Sequence, residues 1–319
     1  MPVKYQLFSY CSSGADKAGV TIDGQWLDLE MAAQAADVSW LCGQSVDDLV
    51  AAWSVAQPAL RALVQAIADQ RGAFDAARLD PAQLALLAPL IRPGTLYCAG
   101  ANYRDHVEAM GRAFNMRLVL DPKSEGVDPW HFIKPGRATV VGDKAQVAYP
   151  AHTQKLDWEA ELAVVIGAHA RNLSVEQAMY VVAGYTCAND LSARDNLVRT
   201  AVDPTSPFRF DWIGHKCFAG SCPLGPVFTP AEFVESPERL AIRLTINGKV
   251  RQDSNTSNHL YNIAEQIAFL STRVELFPGD VLLTGTPAGV GMETGTFLKK
   301  GDVMKVWIEG LGELETTVV

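Results

Sequence analysis

The stretch KLDWEAELAVVIG, Lys155 to Gly167, places two glutamates one residue apart at the mouth of an apolar strand. Leu162, Ala163, Val164, Val165 and Ile166 follow without a polar break, as in a strand bound for the core. Side chains two apart on a strand project from one face, so Glu159 and Glu161 stand together, opposite Ala160 and Leu162. Paired carboxylates repel, and burial raises the cost. A divalent cation resolves the conflict, because hard oxygen ligands suit Mg2+, Mn2+ or Ca2+. Two solvated glutamates on an exposed strand end are the plain alternative, and a third acid would decide. The best placed is Asp190 in AGYTCANDLSARD, where a second strand gives way to a helix- or turn-like segment; Asp195 and Asp157 compete with it.

Outward from this stretch the chain divides near residue 90. Before it come short strands around the turn Asp23-Gly24, then an alanine-rich helical region from Ser45 to about Ala77. Leu49, Trp53, Leu60, Leu63, Val64 and Ile67 form its apolar stripe and Ser45 its N-cap. After it strands dominate: TLYCAG, HFIKP, ELAVVIG, YTCANDL, AIRLTING, DVLLTGTP, DVMKVWIEG and GELETTVV, with a hairpin at Asn247-Gly248. Two helical stretches lie among them, SVEQAMYVVAG behind Ser174 and YNIAEQIAFLSTRV. The expected fold is a β-rich α+β structure with a rolled or barrel-like sheet over 91–319 and a small α+β domain over 1–90. The span 112–146 lacks periodicity and reads as a lid or a disordered piece.

The 319 residues carry a net charge of −9, which argues against nucleic acid and anionic membranes as partners. No apolar run approaches the roughly 20 residues that cross a bilayer. The start MPVKYQLFSYCSSG does not read as a signal peptide. Six scattered cysteines without a CxxC favour a reduced, cytoplasmic protein.

Six motifs then fall in order: GANYRDH (Gly100–His106), WEAEL (Trp158–Leu162), GYTCANDLSARD (Gly184–Asp195), WIGHKCF (Trp212–Phe218), CPLGP (Cys222–Pro226) and LLTGTPAGVG (Leu282–Gly291). Together they resemble the fumarylacetoacetate hydrolase family, from about residue 94 to the C-terminus. The resemblance implies a β-roll with a small N-terminal domain, a homodimer, and Mg2+ or Mn2+ held by Glu159, Glu161 and Asp190, with Ca2+ able to replace them in crystals. It implies a small 2-oxo or 2,4-dioxo acid as substrate, from the breakdown of aromatic or sugar-acid compounds. The metal would favour an enolate as water adds to the distal carbonyl of an acylpyruvate and the C–C bond breaks.

The same resemblance makes His106 the base and Lys216 the cation for the developing oxyanion. It places Arg194, Thr286 and Lys134 at the substrate, with Gln252 and Thr256 in a stretch packed near the site. One departure stands out. Relatives commonly carry Glu three residues after the histidine, where this chain has Ala109. Glu108, two residues on, enters as the candidate acid, although a helix would aim it away from His106. Glu125, Asp128 and His131 are further candidates. The departure also keeps open a decarboxylase, an isomerase or a dehydratase on the same metal–enolate site. A non-catalytic cation binder is the reading from another class; His106, Lys216 and the threonine turn speak against it.

Overall fold

The computed structural model describes residues 2–116 and 118–319. Strands β1 (Gln6–Ser12), β2 (Ala15–Ile22) and β3 (Gln25–Asp28) form an antiparallel meander. Asp23 and Gly24, at φ 48° and 77°, close the β2–β3 hairpin with a turn whose twist matches the strands. The helical region expected from Ser45 breaks into three pieces: a short helix Val46–Ala51, α1 (Trp53–Asp69) and a 3-10 stretch Arg71–Ala77. Ser45 and Asp48 exchange side-chain and backbone hydrogen bonds in a capping box. Trp53, Leu60, Leu63, Val64 and Ile67 line the buried face of α1.

The rest of the chain adds β4 (Thr95–Ala99), α2 (Arg104–Phe114), β5 (His131–Pro135), β6 (Ala160–Ile166), β7 (Val182–Asn189), α3 (Trp212–Lys216) and β8 (Cys222–Pro230). After these come β9 (Ala241–Ile246), β10 (Lys249–Asn255), α4 (Ile263–Arg273), β11 (Val281–Leu283), α5 (Gly291–Thr294), β12 (Val303–Ile308) and β13 (Gly312–Val318). The larger sheet runs β3-β2-β1-β8-β7-β6-β11-β4-β5. These pairs are antiparallel except β11 with β4. A second sheet runs β10-β9-β12-β13, its first hairpin closed by Asn247-Gly248. The architecture is mixed α and β, dominated by sheet, and among the described residues the strands do not close into a barrel. None of the described helices is long and apolar enough to cross a membrane.

The N-terminal strands join the larger sheet where Leu7 of β1 stands opposite Phe228 of β8. One buried cluster accordingly holds Leu7, Leu27 and Leu60 together with Leu96, Val165 and Leu283. The span 112–146 is not one loop. α2 runs to Phe114, His131–Pro135 is β5, and Val140–Val141 and Ala145–Val147 are short strands. Residues 116 and 118–130 have neither helix nor strand, and Arg117 lies outside the described residues.

β6 is buried at every position. Its alternation feeds two cores: Ala163 and Val165 face the cluster shared with α1, while Ala160, Leu162, Val164 and Ile166 face the one shared with β9 and β12. A slip of one residue would exchange the two faces and drive Glu161 into apolar packing, so the register is strongly specified. Removing the buried Leu162 side chain in Leu162→Ala should cost roughly 2–5 kcal/mol. Urea titration should show a lower midpoint with an unchanged slope; a loss under about 1 kcal/mol would mean β6 is not the rigid support described here.

Candidate active site

Glu159 enters β6, Glu161 lies within it, and Asp190 follows the last residue of the neighbouring β7. The β6–β7 register sets Ala160 opposite Asn189, and the Asp190 N–H donates to Glu159 O at 2.9 Å. Two adjacent antiparallel strands thus deliver three acids to one point. One carboxylate oxygen from each lies within 4.8 Å of the others, and all three residues are buried. The competitors are committed elsewhere. Asp195 accepts from the Thr153 hydroxyl and from Gln154 N at 2.8 Å. Asp157 accepts from Gly291 N at 2.6 Å and Met292 N at 3.0 Å, where α5 begins.

Three cations surround these acids. Lys216 Nζ stands 2.7 Å from Glu159 Oε2 and 2.6 Å from Asp190 Oδ2. Lys134 Nζ, with no side-chain exposure, lies 2.5 Å from Asp190 Oδ1 and donates to Leu191 O and Ser221 O. Arg194 bridges Asp157 (Nε, 2.8 Å) and Glu159 (Nη2, 2.5 Å). Burial alone would raise the pKa of Glu159, but Lys216 and Arg194 outweigh it and hold the carboxyl below its usual range. At Glu161 the balance reverses: burial, then Asp190 and Glu159, push its pKa well up, and Lys216 and the Gly285 N–H, which donates to Glu161 Oε2 at 2.6 Å, oppose them only in part. Burial works against the Lys216 ammonium, yet Asp190 and Glu159 raise its pKa and keep it charged. Counted by side chain, four acids (Glu159, Glu161, Asp190 and Asp157) face three cations (Lys134, Lys216 and Arg194), one acid in excess, and the triad offers oxygen donors only. That donor set and charge fit a hard divalent cation.

His106, in the first turn of α2, has its acid, and not from its own helix. Its Nδ1 lies 2.9 Å from Glu293 Oε1, on α5. Glu293 Oε2 accepts from Gly289 N at 2.8 Å, and the Asp157 carboxylate fixes the start of α5. Glu108 does not join the site; its side chain is 41% exposed and its nearest cation is Arg112, 3.9 Å away one turn along. Glu125 is exposed, and Asp128 is 3.8 Å from Arg273. His131 is half-buried, stacks on Phe269 and is kept neutral as desolvation lowers its pKa to about 4.

These groups open on a pocket of about 330 Å3 that His106, Glu159, Arg194, Lys216 and Thr286 line together. The Thr286 hydroxyl donates to Ala160 O and accepts from Gln252 Nε2, while Gln252 Oε1 accepts from Ala160 N. Gln252 is wholly buried and stands behind Thr286 as its support. Thr256 binds Pro237 O and Leu240 N, away from the pocket. Sequence reasoning missed Glu293 and His215. His215 lines the pocket beside Trp212, its Nδ1 on Ala193 O at 3.0 Å. Burial, Lys216 and Arg194 lower its pKa to about 3, so it is neutral. The only signal for either lay in position, Glu293 just beyond the threonine turn and His215 beside Lys216.

The profile of the family described as Fumarylacetoacetate (FAA) hydrolase C-terminal matches residues 95–319. The chain belongs to the fumarylacetoacetate hydrolase family. Oxaloacetate tautomerase Fahd2a, mitochondrial, of Rattus norvegicus is 38% identical over 239 residues, which cover 74% of this chain and 70% of that protein. The solved structure of fumarylacetoacetate hydrolase from Exiguobacterium antarcticum aligns at a TM-score of 0.75 and 29% identity over 98% of this chain and 99% of that one. Fumarylpyruvate hydrolase from Pseudomonas aeruginosa, solved with Mn2+ and pyruvate, aligns at 0.60 and 34% identity over 71% of this chain and 90% of that one.

The buried Glu161 must lose its proton to serve as a ligand. Mn2+ binding should therefore release a proton and tighten as the pH rises. Calorimetry in two buffers of different ionisation enthalpy reads this directly. Asp190→Ala should weaken Mn2+ binding markedly, and an unchanged affinity in that variant would remove Asp190 from the ligand set.

Proposed function

We propose that the protein is a divalent-ion-dependent hydrolase of acylpyruvates and related 2,4-dioxo acids, splitting the C–C bond that frees pyruvate. The observation that carries this reading is that His106, paired with Glu293, lines one pocket with Glu159, Arg194, Lys216 and Thr286. Mg2+ or Mn2+ held by Glu159, Glu161 and Asp190 supplies, when bound, Lewis-acid polarisation of the 2-oxo group. Its charge leaves the cluster one positive unit in excess, which the carboxylate of a 2-oxo acid neutralises.

The chain's own groups divide the remaining work. His106 donates Nδ1–H to Glu293, which leaves Nε2 as the acceptor for a proton from water. The Glu293 carboxylate then stabilises the imidazolium. The water oxygen bonds to the distal carbonyl carbon, and Lys216 offsets the oxyanion that develops there. The C–C bond breaks towards the pyruvate fragment, whose C3 takes the proton back from His106. Arg194 holds Asp157 and Glu159 through Nε and Nη2, and among the described residues its Nη1 has no partner. That nitrogen is the donor Arg194 offers to the substrate carboxylate. The six free cysteines support a reducing compartment, the cytoplasm. Phe208, Phe210 and Ile213 leave 74%, 49% and 73% of their surface exposed along one short stretch, an apolar face that suits a homodimer.

A second reading is keto–enol isomerisation of oxaloacetate, favoured by the curated relative of that name at 38% identity. The same imidazole would move the C3 proton without activating water. A turnover screen of acetylpyruvate, fumarylpyruvate and oxaloacetate with Mg2+ and Mn2+ separates the two. General-base catalysis is worth about 10²–10⁴ in rate, so His106→Ala should lose that much with Mn2+ binding retained. Glu293→Gln should lose at least tenfold in kcat, and Glu108→Ala should stay within about twofold of wild type. Equal losses in these two glutamate variants would overturn the His106–Glu293 assignment.

A further inference from the structure

A second cavity, of about 220 Å3, lies beneath the irregular stretch that follows α2. It shares Ala99, Gly100, Ala101 and Trp130 with the catalytic pocket, so the two meet along one wall. Gly100 makes that wall possible. A Cβ there would stand 2.3 Å from Trp130 Cε3, so only a glycine lets the indole lie against the end of β4. The Gly100 N–H donates to Trp130 O at 3.0 Å, and the indole packs on Trp212, ring centroids 4.7 Å apart. α2 spans both cavities: His106 lines the catalytic pocket and the next residue, Val107, lines the second.

The second cavity is apolar where the first is charged. Val107, Leu118, Val119, Val127 and Leu260 form much of its lining. Among the described residues Asp128 is the one charged group on its wall, and no cation lines it to pair with a second substrate carboxylate. Lys123, on the covering segment, is paired with Glu265 at 2.7 Å, and the Tyr261 hydroxyl donates to Val127 O. These contacts tie the cover to the N-terminal end of α4.

We propose that this cavity receives the distal acyl group of the substrate and selects an uncharged apolar chain or ring over one that ends in a carboxylate. The proposal rests on the 2-oxo acid reading of the neighbouring pocket. An apolar cavity of about 150 Å3 is enough to hold benzene, so a phenyl ring or a short alkyl chain fits here.

The test is calorimetric titration of the Mn2+-loaded protein with straight-chain 2-oxo acids from pyruvate to 2-oxooctanoate, and with 2-oxosuberate as the dicarboxylate of matched length. A fully buried methylene tightens binding about fourfold, so the affinity should climb two- to fourfold per added carbon. 2-Oxosuberate should bind at least tenfold more weakly than 2-oxooctanoate. Val119→Trp, which fills the cavity from its cover, should flatten the climb, with Leu260→Phe as a milder second variant. A flat series in the wild type, or 2-oxosuberate binding as tightly as 2-oxooctanoate, overturns the proposal whatever the variants do. The series is read by binding and not by turnover. A clear climb in a protein that hydrolyses no acylpyruvate would sink the hydrolase reading and leave the subsite standing. Failure of every 2-oxo acid to bind would sink both.

Discussion

The attraction between a buried set of carboxylates and a buried set of cations governs the rest of this molecule. Glu159, Glu161, Asp190 and Asp157 could not be packed against β6 and β7 without Lys134, Lys216 and Arg194, because an uncompensated buried charge costs several kcal/mol or neutralises itself. The compensation is incomplete by design of the sequence: three cations face four acids. Glu161 carries the deficit, and the burial that raises its pKa also makes it the group with most to gain from a divalent ion. Structural and functional demands therefore meet in one residue. The cations that permit folding also set how strongly the site calls for an ion of charge two.

Asp157 joins this cluster to the proton-handling side of the pocket. One carboxylate accepts from Arg194, which braces Glu159, and from the first amides of α5, which carries Glu293. The acids and the imidazole are thus held through a common anchor, although they come from different parts of the chain. Catalytic groups need placement within about 0.5 Å, and side chains held by such bonded supports achieve it better than side chains on free loops. Lys134 illustrates the same economy. It belongs to β5 at the sheet edge, and its ammonium reaches inward to Asp190 and two backbone carbonyls.

Much of this was legible in the sequence. The acids of WEAEL stand out because a strand alternates and an apolar run follows, and the hairpins at Asp23-Gly24 and Asn247-Gly248 announce themselves through Asp-Gly and Asn-Gly. The helix break near Ala52 was not legible, since alanine-rich text carries no stop signal. Nor was the division of the span 112–146, where short strands form only against partners distant in sequence. Lys134 read as a substrate contact from the family pattern, and its ammonium is instead held by Asp190 and two backbone carbonyls, while Gln252 packs behind Thr286. Glu293 was hidden for a related reason. Helical spacing identifies an acid on the histidine's own helix, but says nothing of one delivered by another element.

The separation between His106 and Glu293, 187 positions along the chain, has a mechanical meaning. An acid one turn away would travel with the histidine wherever α2 went. An acid on α5 does not, so the imidazole is oriented only while α2 is docked against α5. Any excursion of α2 that widened the entrance would also uncouple the pair and leave the ring free to turn. The catalyst then carries its own interlock. On the proposed mechanism the base is competent only when the chamber is assembled, and a half-open chamber that admits bulk water is also one in which the proton relay is disconnected.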